Sequence, residues 1–197
     1  MSHELYILED GSYPIAYLAG DNPPWHAAET NPQIVPADSS IDIWMESARL
    51  NFEIGLFPNC RANGEPIEDS FHIARSDTGA IVGRFVAGDW QPVQNRVAME
   101  LAERIATKYG YKIITAGSLF NGETAWVQLE TNLEAVLPGH DRIVSRPLFT
   151  LRNNGNSANT FGAVNTRVVC NNTLTRALSE KAIDHVTHDH RVELNFD

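Results

Sequence analysis

A chain of 197 residues, 43% of them hydrophobic, matches the size of one domain and can bury a core without disulfides or structural metals. Two cysteines are too few for a secreted disulfide scaffold, no run of 18 apolar residues offers a membrane span, and the N-terminus lacks a signal-peptide pattern, so we predict a cytoplasmic protein. The net charge of −10 argues against a protein that coats duplex DNA, because such affinity comes from neutralised phosphates.

The charge is distributed unevenly along the chain. Residues 1–100 carry 15 acidic and 5 basic side chains, whereas residues 101–197 carry 10 of each. The second half therefore leaves room for a local basic groove, although ordinary solvated charges explain the same pattern. The basic residues concerned are Arg104, Lys108, Lys112, Arg142, Arg146, Arg152, Arg167, Arg176 and Lys181.

The chain is predicted to contain an N-terminal segment and one domain. Residues 1–38 are rich in glycine and proline and poorly periodic, which favours an extended segment wrapped on a core. Residues 39–197 contain no repeat and no low-complexity linker, so they form a single domain. Its first predicted elements are a helix at 41–50, a strand at 51–57 that ends at Pro58, and a loop at 60–69.

The middle of the chain has the clearest patterns. Two strands at 71–75 and 80–85 flank Asp77-Thr78-Gly79 and predict a hairpin. Apolar residues at helical spacing predict a helix at 93–109 that Gly110 stops. Further strands are predicted at 112–115 and 123–130, joined through the turn Asn121-Gly122; in the second, Ala125, Val127 and Leu129 share one face, and Trp126 and Gln128 the other.

The last third alternates between extended and helical patterns. A strand is predicted at 142–151, at a sheet edge because Pro147 cannot donate to a ladder. A polar loop at 153–159, an extended segment at 161–169, a helix at 172–182 and a strand at 185–196 follow. The whole pattern predicts an α+β fold in which antiparallel hairpins pack against two or three helices.

Several short motifs occur together in one order. They are Gln91-Pro92-Val93-Gln94-Asn95, Ala116-Gly117-Ser118-Leu119, Ala125-Trp126-Val127, Asn156-Ser157-Ala158 and Arg167-Val168-Val169-Cys170-Asn171-Asn172-Thr173-Leu174, with Pro24-Trp25-His26 upstream. On these residues the chain resembles the phage/plasmid-related proteins, known as domain of unknown function 932, from about Trp25 to Leu178. The resemblance implies a protein of a bacterial host cell. This chain is shorter at the C-terminus than usual for the family, and its polar loop lacks the acidic residue often found before the glycine.

Cys170 has three readings. It stands where a strand gives way to a helix that Asn171 or Asn172 could cap, and helix N-terminal amides can bind phosphate. The same position could lower the pKa of a nucleophilic thiol, but the candidate bases His26, His72 and His140 show no recognisable spacing. A buried, structural cysteine beside a helix cap is the favoured interpretation.

No motif identifies a cofactor or a reaction. His185, His188 and His190 could present two nitrogens on one face of a strand, but solvated or capping histidines explain them too. The chain has no phosphate-binding glycine loop, no dinucleotide fingerprint, no H-E-x-x-H and no paired Cys-x-x-Cys. We therefore expect no cofactor, no metal site and no catalytic residues, which makes an enzyme the less favoured alternative.

Two functions remain in competition. The leading hypothesis is a phage or plasmid accessory protein that binds or anneals single-stranded DNA, with only a fold-level analogy to annealing proteins of the Rad-fifty-two type. The alternative is a protein–protein interaction module, regulatory or counter-defence, that uses the carboxylates of Asp10, Asp21, Asp38, Asp42 and Glu46. A homo-oligomer is expected in either case, because exposed hairpins leave sheet edges that are commonly paired.

The candidate DNA-binding residues combine charge, stacking and a helix start. Arg142 and Arg146 should project together from one strand, and Arg152 and Arg167 flank the polar loop and its neighbouring strand. Trp126 is the candidate base-stacking side chain, although an aromatic side chain in a hairpin is more often packed under a helix, and Asn171 is the candidate phosphate contact.

Overall fold

The computed structural model describes residues 5–136, 142–179 and 185–192, without the side chains of residues 84, 134–136, 142 and 143. In the order of the chain the strands are β1 (Ile15–Leu18), β2 (Gln33–Val35), β3 (Ile54–Cys60), β4 (Pro66–Arg75), β5 (Ile81–Val86), β6 (Lys112–Leu119), β7 (Thr124–Glu130), β8 (Glu134–Val136), β9 (Arg142–Val144), β10 (Arg146–Arg152), β11 (Asn159–Val164) and β12 (His185–His188). The helices are α1 (Ala27–Thr30), α2 (Ile41–Ser47), α3 (Asn95–Tyr109) and α4 (Asn171–Ser179). Among the described residues no helix is long and apolar enough to cross a membrane.

Seven strands form the main sheet, in the order β12-β11-β10-β7-β6-β1-β2. Every neighbouring pair is antiparallel except β1 and β2, which run parallel. The N-terminal segment thus supplies one end of this sheet. A three-stranded antiparallel sheet, β3-β4-β5, and the β8-β9 pair complete the strands, and with the helices they confirm the α+β class.

The main sheet is covered on both faces. Along β7, Val127 and Leu129 point into a core that includes residues of α2, α3 and the three-stranded sheet. Trp126, the residue before Val127, points into a second core with Cys170 and Leu174 of the C-terminal part. We call these sides of the sheet the α3 face and the α4 face.

The strongest sequence patterns predicted elements that form. α3 begins two residues later than predicted and ends at Gly110, which adopts the left-handed conformation with φ +68°. The hairpin of β4 and β5 also matches its prediction.

Three predicted boundaries or placements are wrong. β10 is a central strand. Pro147 is tolerated there because the pairing of β10 with β7 begins only at Leu148, so no N–H from Pro147 is required on that side. β3 continues past Pro58 to Cys60, and β4 starts at Pro66, so half of the predicted loop at 60–69 is strand. The resulting β3-β4 hairpin carries mostly exposed residues near its tip.

Candidate functional site

The arginines predicted to form a basic track are largely engaged with acceptors of the chain itself. Arg146 Nη2 lies 2.8 Å from a Glu130 carboxylate oxygen, and its Nη1 donates to the Asn165 carbonyl over 2.6 Å. Arg167 pairs with Asp21 at 3.3 Å and donates to the Asn22 carbonyl. Burial lowers the pKa of Arg167 and raises the pKa of Asp21, so both charges are partly desolvated. Two cations and two carboxylates together give this cluster no net charge.

The other two arginines of the predicted track differ from this pair. Arg152 ends β10, six residues from Arg146, which separates their backbones by about 20 Å at 3.3 Å per residue. It is half-buried and donates to the Thr124 hydroxyl over 2.9 Å. Arg142 begins β9, and its side chain lies outside the described residues. The structure therefore does not bring the four guanidinium groups together as one track.

Trp126 cannot stack on bases, and the expectation of an exposed indole is wrong. Its side chain is 1% exposed, and its Nε1 donates to the Thr115 hydroxyl over 3.3 Å. Gly117 makes room for the ring, because a Cβ there would come within 2.6 Å of the Trp126 ring and of the Pro14 carbonyl. A strand buried on both faces places each side chain in a core, whichever way it points.

Asn171 opens α4, but the first backbone amides of this helix point towards the Cys170 sulfur. The Cys170 sulfur accepts from the backbone amides of Asn172 and Thr173. The Thr173 hydroxyl accepts in turn from the amides of Val169 and Cys170, over 2.9 and 3.0 Å. The helix N-terminus therefore caps its own cysteine, which leaves those two amides directed at sulfur rather than at an external phosphate.

Cys170 also contacts a histidine from the distant N-terminal segment. Burial raises the pKa of Cys170, but hydrogen bonds with His26 and Thr173 and with backbone amides lower it, to about 7 overall. The His26 ring is buried, with Nε2 3.0 Å from the Val169 carbonyl oxygen and Nδ1 2.9 Å from the Thr30 hydroxyl. Sequence spacing gave no sign of this pair, which joins the Trp25-His26 and Arg167–Leu174 motifs. Cys170 is fully buried, which agrees with the structural reading and gives no route to a substrate.

The C-terminal histidines are held by backbone groups. His188 Nε2 lies 2.7 Å from the Val192 carbonyl oxygen, and His190 Nδ1 lies 2.9 Å from that of Gln91. The His190 ring also stacks on Trp90, with 4.5 Å between ring centroids. Within the described part of the chain no three His, Cys, Asp or Glu side chains are grouped as a metal site would require.

Three exposed cations without an ion-pair partner among the described residues occur in the second half of α3 and at the start of β6. Arg104 and Lys108 lie one turn apart on the helix, and Lys112 begins β6 just after it. All three are exposed, and none forms an ion pair with another described residue.

Two tyrosines lie among these cations. The rings of Tyr109 and Tyr111 stack with centroids 5.5 Å apart, and the Lys108 ammonium lies 5.3 Å from the Tyr109 ring centroid. Tyr109 is 54% exposed. Glu103 borders the group in a groove that Tyr111 and Lys112 also line. We call Arg104, Lys108, Lys112, Tyr109 and Tyr111 the basic–tyrosine patch.

Several apolar side chains of the three-stranded sheet are exposed. Phe57 stacks on His72 of the neighbouring strand at 5.8 Å, and Ile81 is also exposed. Phe85 is 80% exposed and has φ +57°, a strained conformation for an aromatic residue. We call Phe57, Ile81 and Phe85 the outer apolar face.

Comparison with known proteins gives one match. The model of a family described as "Domain of unknown function (DUF932)" matches residues 84–197, which is more than half of the chain and includes α3, the basic–tyrosine patch and the Cys170 motif. No curated protein and no solved structure matches the chain.

Proposed function

The chain belongs to the DUF932 family, whose description assigns no activity, and we propose that it binds single-stranded DNA through the basic–tyrosine patch. One observation carries the proposal: the Lys108 ammonium lies beside an exposed tyrosine that is stacked on a second one, and Arg104 and Lys112, close to them in the chain, form no ion pair with a described residue. Proteins that bind single strands without sequence preference combine cations for the phosphates with aromatic rings for the bases.

The acidic remainder of the molecule is compatible with such a local site. Exposed charges separated by more than about 8 Å are largely screened at physiological salt, so a small patch can bind phosphates on a chain of net charge −10. The patch thus replaces the predicted track, in which Arg146 and Arg167 already have carboxylate partners.

The test measures the anisotropy of a fluorescent oligothymidine over a series of salt concentrations. Each phosphate neutralised on a single strand contributes about −0.7 to the slope of log K against log salt, so three cations predict a slope of about −2. The triple change Arg104→Ala, Lys108→Ala, Lys112→Ala should abolish this slope together with most of the binding. Tyr109→Ala should weaken binding about tenfold, the effect of losing one stacked base, whereas Tyr109→Phe should not.

A matched control separates the patch from general charge. Arg61, Arg176 and Arg191 are exposed and lie in other elements, so their triple change to alanine alters the net charge equally and should leave the slope intact. Arg146→Gln tests the track that the sequence predicted and should also have little effect. No binding at low salt, or equal losses in the two triple variants, would count against the proposal.

The outer apolar face favours a second candidate, self-association. Three of the five carboxylates considered for docking already form ion pairs: Asp10 with Arg49, Asp21 with Arg167 and Asp42 with Arg96. A two-fold dimer brings the same surface of both copies together, and homodimer interfaces are more apolar than other interfaces. We therefore propose a second copy of this chain as the partner.

Light scattering at tens of micromolar protein tests this candidate. The wild-type protein should show a mass above that of the monomer, and Ile81→Ser combined with Phe85→Ser should return it to the monomer. A wild-type monomer at these concentrations would contradict self-association without affecting the DNA proposal.

A further inference from the structure

A cleft opens on the α4 face, on the side of the sheet opposite α3. Its floor is formed by β10, β11 and β12, and the end of α4 forms one wall through Ala177 and Leu178. Its volume of about 600 Å³ is in the range of small-molecule binding sites.

The floor carries a row of hydroxyl groups. Thr150 pairs with Thr160, which pairs with Thr187, so the three side chains stand side by side on neighbouring strands and line the cleft. Thr150 is fully buried, and its hydroxyl has no hydrogen-bond partner among the described residues. A buried hydroxyl without a partner is costly, and few such groups occur in folded proteins.

An arginine lies beside this row. Arg152 is two residues beyond Thr150 on the same strand, so it is on the same face, with its backbone about 7 Å away. Burial lowers the pKa of Arg152, and the guanidinium forms no ion pair within the described part of the chain. The nearby Glu123 carboxylate accepts from the Asn154 amide. At the other end of β10, Arg146 has Glu130 as its partner.

We propose that this cleft binds a small organic phosphate, with the phosphate on Arg152 and the threonine row and the organic part against Leu148 and Leu178. A guanidinium fork and several hydroxyl donors suit a group with three acceptor oxygens. A free nucleotide and the phosphorylated end of a DNA strand carry this same chemistry. The site is distinct from the basic–tyrosine patch, which lies on α3 and the start of β6.

Calorimetry and thermal denaturation test the cleft with three probes: deoxyadenosine monophosphate, inorganic phosphate, and oligothymidine with or without a 5′-phosphate. The nucleotide should bind and raise Tm, and a preference for 5′-phosphorylated over unphosphorylated oligothymidine would identify a strand end as the source. Arg152→Met should weaken binding at least tenfold, as expected for a lost hydrogen bond to a charged group. Arg146→Met is the matched control and should bind as the wild type does.

Thr150→Val keeps the test decisive if Arg152→Met does not fold. Valine has nearly the same shape and removes the unpartnered hydroxyl, so Tm of the free protein should rise while nucleotide affinity falls. The triple change in the basic–tyrosine patch should leave nucleotide binding intact, which distinguishes failure of one site from failure of the other. No binding of any probe at millimolar concentration, or a lower Tm for free Thr150→Val, would overturn the proposal.

Discussion

The two faces of the main sheet are covered in different ways. On the α3 face, α3 packs against β6, β7 and β10 through apolar side chains such as Met99, Val127 and Leu151. On the α4 face, an irregular segment, residues 166–169, lies over the sheet and is held by polar side chains. Gln128 donates to the Thr166 carbonyl and accepts from the Val168 amide, and Thr115 donates to the Val168 carbonyl.

The difference follows from the backbone of each cover. A helix satisfies its own N–H and C=O groups, so an apolar face is enough to bury it. An irregular segment has no such ladder, and each buried peptide group needs a side-chain partner. The α4 face therefore concentrates the buried polar residues, the Cys170–His26 contact and the threonine cleft, whereas the α3 face is the hydrophobic core.

The largest expected effect compares two leucines of β10 that point to opposite faces. Leu151→Ala should lower the free energy of unfolding by about 3–4 kcal/mol, because it leaves a cavity in the closed core on the α3 face. Leu148→Ala should cost only about 2 kcal/mol, because Leu148 already borders the cleft on the α4 face. Urea denaturation measures both, and equal losses would show that the two faces are packed alike.

The second prediction concerns the polar attachment of residues 166–169. His26→Ala should cost about 2–3 kcal/mol, because it removes a buried ring and leaves the Val169 carbonyl without that partner. Its neighbour Trp25 is 57% exposed, so Trp25→Ala should cost less than about 1 kcal/mol. Hydrogen exchange provides a further check: the amide of Val169 should lose protection in His26→Ala and keep it in Trp25→Ala.

Local pattern was sufficient to predict α3 and the β4-β5 hairpin. The helical spacing of α3, its stop at Gly110 and the turn glycine Gly79 of the hairpin are all encoded in neighbouring residues. It also divided the side chains of β7 correctly between two faces. It could not show that both faces are covered, because residues 166–169 and α4 come from 36 or more positions further along the chain than β7. For this reason the base-stacking role of Trp126 was predicted wrongly, whereas the edge position of β10 was predicted wrongly because it was inferred from Pro147 alone.

Charge pattern was a weaker guide to the site. The partner of Arg167 is Asp21, in the N-terminal segment, and nothing in the local sequence marks the pair. Arg104, Lys108 and Lys112, which have no ion-pair partner in the described part of the chain, belong to the same predicted basic half, and only tertiary structure separates them from the paired ones. The threonine row depends on the register of three strands, which alternation within one strand does not specify.

The smallest expected effect tests the capped sulfur on the α4 face. The pKa of Cys170 is about 7 in the folded protein, against about 8.5 for an unfolded cysteine. An acid whose pKa is lowered by folding stabilises the protein above its unfolded pKa, and this contribution disappears as the pH falls through 7.

Cys170→Ser keeps a good helix N-cap but does not titrate in this range. The unfolding free energy of the wild type relative to this variant should therefore increase by about 2 kcal/mol between pH 6 and pH 9, since one pKa unit corresponds to about 1.4 kcal/mol. The exposed Cys60 is present in both proteins, so its contribution cancels. Parallel stability profiles across this range would mean that the folded thiol titrates as a free one does, and that the amides of α4 and His26 do not favour the thiolate.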